Sequence, residues 1–380
     1  MFKKGIGMIE IKEVKTKKEI RDFINFPLNL YKGNPYFVPP LYSDEKALFK
    51  KNYHYYETSE AVYYNAYKDG KIVGRISGIL QHASNTKWKQ KRVRFTRFDC
   101  IDDQEVANSL LKTIEDWAKE KGMEEVVGPI GFSDLEREGL LIEGFDYLST
   151  FEEQYNYPYY QKLIENYNYT KEVDWVEHRL RAPKEDNPKL KRISDLMLKR
   201  YNLHFSNVKS IKEFIKKYGD AFFEILDITY DKIYGTVPLT DKMKKNLANS
   251  FKLIVRPEDV SLILDENEKV VAFGLMFPSI SKPLQKSGGR LTLPTIIKLL
   301  KTIKHPETID LGLIGVLPEY EMKGVSSALI SKTVDMLASG KYEYAETNLN
   351  LEDNLHIINQ WKNFDCLQHK RRRLFIKKLN

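Results

Sequence analysis

Residues Ile309 to Gly340 read IDLGLIGVLPEYEMKGVSSALISKTVDMLASG, and this stretch decides the fold of the 380-residue chain. Its opening carries Ile309, Leu311, Leu313, Ile314, Val316 and Leu317, with Asp310 as the lone charge. So apolar a run describes a strand covered on both faces. Pro318 has no N–H to give a ladder and ends it. Gly324 follows, and then Val325, Ala328, Leu329, Met336 and Leu337 repeat at helical spacing. A buried strand, a short loop and an immediate helix gather free backbone N–H groups around one spot. The helix dipole adds partial positive charge there, which suits a phosphate or pyrophosphate.

The segment Pro318 to Leu329, PEYEMKGVSSAL, resembles the acyl-CoA pyrophosphate loop of the GNAT acyltransferase superfamily. That family's pattern is Gln/Arg-x-x-Gly-x-Gly/Ala after a strand that often ends in Val-x-Pro. Gly324 supplies the glycine, Ser326 stands at the last small position, and Glu321 replaces the Gln or Arg. Serine keeps its backbone N–H, whereas the Glu321 carboxylate must point away from any phosphate. The resemblance implies acetyl-CoA or a longer acyl-CoA as cofactor, held by Gly315, Val316, Lys323, Gly324, Val325, Ser326 and Asn354. It also implies a backbone N–H near Leu313 to Val316 for the thioester oxygen, an oxyanion-type contact. A carboxylate must accept the amine's proton, and Asp310, with Glu346 nearby, is the candidate base. The family's tyrosine acid lies seven residues after an asparagine. Asn354 matches that asparagine, but Trp361 occupies the tyrosine's place, and an indole cannot serve as the acid. Tyr320 and His356 are the remaining candidates.

The first half repeats the same order of elements. Ile9–Val14 alternates as a strand, and Lys17–Tyr31 forms an amphipathic helix. Ala61–Tyr67 and Ile72–Leu80 form a hairpin around Asp69-Gly70. Val93–Ile101 is a strand, Glu105–Lys121 a helix closed by Gly122, and Val173–Leu180 a strand. The expected fold is therefore two tandem GNAT-like α/β domains, 9–182 and 186–380. Each has a mixed, mostly antiparallel sheet with helices on both faces, and the two share a cleft. In the first copy Cys100 to Ala107, CIDDQEVA, stands at the loop position with three acids and no glycine, so that copy is degenerate. The second copy continues with helices Leu190–Tyr201, Ile211–Asp231 (two pieces around Gly219), Leu239–Leu253 and Leu293–Ile303. A last helix spans Leu355–Lys362. Further blocks resemble an uncharacterised bacterial tandem-GNAT family: Gly128-Pro129, Gly139 to Asp146 and Tyr155 to Tyr160.

Composition narrows the alternatives. A chain 42% hydrophobic and 30% charged describes a globular protein, without any apolar run approaching the ~18 residues of a bilayer span. The start, MFKKGIGMIEIKEV, shows no signal-peptide pattern, and a cytoplasmic location is expected. The net charge of +8 is spread evenly, which speaks against nucleic acid as a partner. The dense basic run, His369 to Arg373, is expected on a terminal strand with a solvated face. Cys100 and Cys366 are expected as buried free thiols. Seven scattered histidines show no metal-ligand spacing, and no hydrolase elbow or Walker loop is present. Glu143, Tyr155 and Tyr159, beside glycines and other tyrosines, are candidate lining for a cleft that takes an amine. The leading reading is an acyl-CoA-dependent N-acyltransferase acting on a small-molecule or peptide amine, as a monomer or homodimer. A catalytically inactive GNAT-fold protein that binds a small ligand is the alternative. An aminoacyl-tRNA-using tandem GNAT, as in the Fem ligases, is the third reading.

Overall fold

The computed structural model describes residues 8–185, 187–321 and 323–379. The basic first seven residues, Asp186 at the expected linker, Met322 in the loop and Asn380 lie outside them. In chain order the strands are β1 (Ile9–Glu13), β2 (Ser59–Lys68), β3 (Lys71–Gln81), β4 (Arg92–Cys100), β5 (Glu125–Gly128), β6 (Leu140–Glu143) and β7 (Thr170–Arg181). They continue as β8 (His204–Phe205), β9 (Val260–Leu264), β10 (Val270–Pro278), β11 (Thr308–Val316), β12 (Tyr344–Thr347), β13 (Asn350–Leu351) and β14 (Asp365–Lys378).

The chain forms two compact units. The first holds the chain up to Asp174, Leu284–Thr295 and everything from Lys370 onward; the second holds Trp175–Pro283 and Ile296–His369. The sequence placed the boundary at the charged, proline-bearing linker near residue 182. Both units draw residues from β7 and from β14.

In the first unit the order is β1-β2-β3-β4-β5, followed by the last residues of β14, with β6 also on β14. β4 and β5 run parallel over Arg92–Arg94 and Glu125–Val127. The helix Gln104–Glu120 turns Val106, Ala107, Leu110, Leu111 and Ile114 onto this sheet, where Phe95, Phe98, Val126 and Phe375 complete the core. Their three- and four-residue spacing makes one apolar stripe.

In the second unit the order is β12-β11-β10-β9-β8, with β7 beside β12. β11 and β12 run parallel over Thr308–Leu311 and Tyr344–Thr347. The helix Ser326–Ala338 buries Ile330, Val334 and Leu337 against Ile309, Ala345 and Leu190.

Both units thus contain four successive antiparallel strands and a fifth that runs parallel to the fourth. Each fourth strand carries a bulge. In β11 the ladder to β10 steps from Leu313 to Leu311 and leaves Gly312 as the extra residue. In β4 it steps from Asp99 to Thr96, where Arg97 has φ +50°. Beyond each bulge the parallel partner is lost, so the strand splays away from it.

Several expectations change. Ile211–Tyr230 is one helix that runs through Gly219. Burial of Phe214, Tyr218, Phe222, Phe223, Ile225 and Leu226 offsets the ~1 kcal/mol a helical glycine costs. The expected helix 355–362 is Leu355–Ile358 followed by a 3-10 turn over Asn359–Asn363. The basic run on β14 is not solvated: His369, Lys370 and Arg372 are buried. Arg372 donates to the Gln154 carbonyl and lies 3.9 Å from the Glu153 carboxylate. Cys100 is a buried free thiol, but Cys366, at the start of β14, is an exposed one.

Candidate functional site

The site of interest lies where β11 leaves β12. Leu317 N–H bonds to Val271 O of β10, and antiparallel alternation then gives the Gly315 and Leu313 peptides to β10 as well. Ile314 and Val316 point the other way, into the splay. The Tyr230 hydroxyl meets them there: it accepts from Ile314 N–H at 3.2 Å and donates to Ile314 O at 3.3 Å. Tyr230, at the end of the helix Ile211–Tyr230, escaped the sequence reading. Nothing local marks it, since only the folded chain carries residue 230 to residue 314.

Past the strand, Pro318–Glu321 forms a short turn. Gly324 has φ +73°, a conformation that favours glycine, and the helix starts at Ser326 without a side-chain cap. Among the described residues no acceptor is recorded for the N–H groups of Gly324, Val325 and Ser326. Ser326 Oγ accepts from Gln360 Nε2 at 3.2 Å. Glu321 is exposed. The lysines nearest it in sequence face aromatic rings: Lys323 lies 4.5 Å from the Tyr320 ring centre and Lys332 5.0 Å from that of Phe205.

The corresponding junction in the first unit is closed. Asp103 caps its helix, accepting from Glu105 N at 2.9 Å and Val106 N at 3.3 Å, and pairs with Lys68 Nζ at 2.9 Å. Tyr160 is fully buried at the splayed strand, accepting from Cys100 N at 2.8 Å and donating to Cys100 O at 2.9 Å. Tyr159 also donates to Cys100 O, at 2.7 Å. In this unit a carboxylate thus caps the helix start and two phenols occupy the strand edge.

The other sequence candidates fall as follows. Asp310 is buried on β11 and stands in register with Glu346 of β12. Tyr320 is partly exposed, and burial with the nearby acids Asp265, Glu319 and Glu266 raises its pKa. His356 is exposed on the short helix that Asn354 caps, with Asn354 Oδ1 accepting from Ile357 N at 3.3 Å. Trp361 is buried and donates to Asn350 Oδ1 at 3.0 Å, a packing role. Gly315 lies so close to Phe273 that an added Cβ would come within 2.5 Å of its ring, and the β10 ladder takes its peptide. In the first unit, Tyr155 takes a bond from Asn34 Nδ2 and donates to Phe145 O. Glu143 is exposed, 3.5 Å from Arg371 Nε.

Behind Asp310 the fold assembles a polar cluster that spacing did not show. Glu346 Oε1 lies 2.8 Å from His369 Nε2, and Glu346 Oε2 lies 3.4 Å from Arg179 Nε. Glu177 joins them, with ligand atoms of Glu177, Glu346 and His369 within 4.8 Å of one another. Next to Glu177, burial first, and then the His369 imidazole, push the His178 pKa down to about 4. Folded protein therefore holds His178 neutral while the unfolded chain takes up a proton near pH 6.5. Its share of stability is intact above that pH and is lost as pH falls from about 6.5 towards 4. Urea midpoints at pH 7 and pH 5 should differ more for the wild type than for His178→Gln; equal differences would refute the assignment.

No family model matches the chain. Protein YghO of Escherichia coli K12 is 27% identical over 378 residues, covering 96% of this chain and 94% of that protein. A bacterial ceramide synthase of Caulobacter vibrioides is 24% identical, covering 96% of each. Among solved structures, a tandem GNAT protein from the clavulanic acid biosynthesis pathway superposes with a TM-score of 0.59 at 8% identity. That match covers 98% of this chain and 99% of that one. The chain has the GNAT fold, built twice in tandem.

Proposed function

We propose that this chain is an acyl-CoA-dependent N-acyltransferase whose cofactor binds in the second unit, between β11 and the helix Ser326–Ala338. One observation carries the reading: that helix starts without a side-chain cap beside a splayed strand, whereas Asp103 closes its counterpart. The residues fit a pyrophosphate. The N–H groups of Gly324, Val325 and Ser326 would hold it, with the carboxylate of the exposed Glu321 turned outward from them. Acetyl-CoA or a longer acyl-CoA would supply an activated acyl thioester at this place. The Val316 N–H faces the splay and is the proposed donor for a carbonyl oxygen, the Ile314 N–H being held by the Tyr230 hydroxyl. The Tyr230 hydroxyl, already on the Ile314 peptide, is proposed as the acid that returns a proton to a leaving thiolate, the role Trp361 cannot fill. Asp310 is proposed as the base for the amine. The acceptor is a small-molecule amine, and the chain acts in the cytoplasm as a monomer or homodimer. A ceramide is an amide of a long-chain amino alcohol, so the name of the Caulobacter relative accords with N-acylation.

The test is thiol release. Free CoA should appear only when an acyl-CoA and a competent amine are both present. Tyr230→Phe should lower kcat about 10²–10⁴-fold while KM for the acyl-CoA moves little. Wild-type kcat in Tyr230→Phe would remove Tyr230 from the chemistry. The buried Trp361 at the usual tyrosine position favours the second reading, a GNAT-fold protein that binds a ligand without turnover. Binding of acyl-CoA without thiol release across an amine panel, long-chain amino alcohols included, would select it.

A further inference from the structure

The segment from Leu284 to Pro306 carries Lys286, Arg290, Lys298, Lys301 and Lys304 and no Asp or Glu. Its helix, Leu293–Lys304, is inverted for a protein in water. Leu293, Ile296, Ile297 and Leu300 recur at i, i+3, i+4 and i+7, which aligns them on one face. That face is the exposed one: Leu293 is 72%, Ile297 60% and Leu300 63% exposed, with Leu291 beside them. The residue this helix buries is polar, Thr295. Scattered exposed aliphatics are ordinary, but a continuous stripe on one helix marks a contact surface.

The approach to the helix is fixed. Gln285 Nε2 donates to Pro35 O at 2.9 Å and Phe37 O at 3.0 Å, and Tyr42 N donates to Gly289 O at 2.9 Å. Arg290 bonds Asn25 Oδ1 at 3.2 Å and lies 4.3 Å from the Tyr42 ring centre. The apolar stripe thus sits on an anchored segment, among lysines for which no ion pair is recorded among the described residues. Glu307, the first acid beyond, is taken by Lys282 at 2.6 Å.

We infer that this helix is a docking element for an anionic lipid surface. Aliphatic side chains would enter the headgroup–acyl boundary, and Lys298, Lys301 and Lys304 would meet lipid phosphates. At twelve residues the helix lies in the interface and does not cross it, in keeping with the absence of any described helix long and apolar enough to span a membrane. Two features choose lipid over an acidic protein groove: positive charge along the whole segment with no acid among it, and aliphatic residues without an aromatic among them. The inference does not depend on acyl transfer in the second unit.

Co-sedimentation of the full chain with vesicles tests it. Equimolar phosphatidylglycerol–phosphatidylcholine vesicles should pull the protein down, and phosphatidylcholine vesicles should not. Binding should weaken as salt rises. The triple variant Lys298→Gln, Lys301→Gln, Lys304→Gln should bind on the order of a hundredfold more weakly. The pair Ile297→Ser, Leu300→Ser should also lose binding, with thermal unfolding unchanged because both positions are exposed. No binding to anionic vesicles, or equal binding to both kinds, would overturn the inference. So would a wild-type dimer that Ile297→Ser, Leu300→Ser converts to monomer, since a second copy would then cover the stripe.

Discussion

Arg75→Met is expected to unfold the first unit under conditions where the wild type is folded, at a cost of about 3–5 kcal/mol. Arg75 is buried, with Nε 2.8 Å from Asp99 and Nη1 3.2 Å from Glu45. It also donates to Phe23 O at 3.1 Å and lies over the Phe23 ring. Arg97 shares Glu45 at 3.1 Å, and Tyr31 donates to Asp99 at 3.0 Å. Burial pushes the Glu45 carboxyl up, and the Arg97 and Arg75 guanidiniums more than offset it, holding its pKa below the ordinary range. Methionine fills the space but leaves two buried carboxylates short of a cation. For a domain stable by ~5–15 kcal/mol that is a large fraction. The deficit should shrink as pH falls towards 4, because a protonated Glu45 no longer needs the guanidinium. Urea unfolding of Arg75→Met at pH 7 and pH 4.5 reads both effects. A midpoint within error of wild type at pH 7 would show that the ion cluster adds nothing.

Gly324→Val should reduce binding of an acyl-CoA about a hundredfold or more while leaving the unfolding temperature almost unchanged. Gly324 has φ +73°, where an L-residue pays ~1–2 kcal/mol and a β-branched one more. An added Cβ meets only Met197, at 3.6 Å, so the substitution is not a packing clash. The loop relieves itself by moving, and the N–H groups of Gly324, Val325 and Ser326 lose their convergence. Two charge-assisted hydrogen bonds at ~1.5–3 kcal/mol each account for the predicted loss. Undiminished affinity in Gly324→Val would place the cofactor elsewhere or nowhere.

The fold was legible because its signals are local. Asp69-Gly70 gave the hairpin, the run from Ile309 to Leu317 gave the splayed strand, and Gly324 gave the turn into the helix. The three acids after Cys100 prompted the reading of the first copy as degenerate, and one of them, Asp103, caps the helix that follows. What stayed hidden was set by contacts between distant residues. Tyr230 and Ile314 are 84 positions apart, and Arg372 and Gln154 are 218 apart. The basic run on β14 looked solvated because no sequence pattern announces carboxylates and carbonyls arriving from elsewhere. Gly219 misled for the opposite reason: a local helix penalty was outweighed by tertiary burial.

The most direct measurement is an isothermal titration of the full chain with acetyl-CoA and decanoyl-CoA. The expected result is one site per chain, competed by free CoA and lost in Gly324→Val. Two sites per chain would contradict a first unit closed by Asp103, and no heat with either ester at millimolar concentration would contradict a cofactor site in the second.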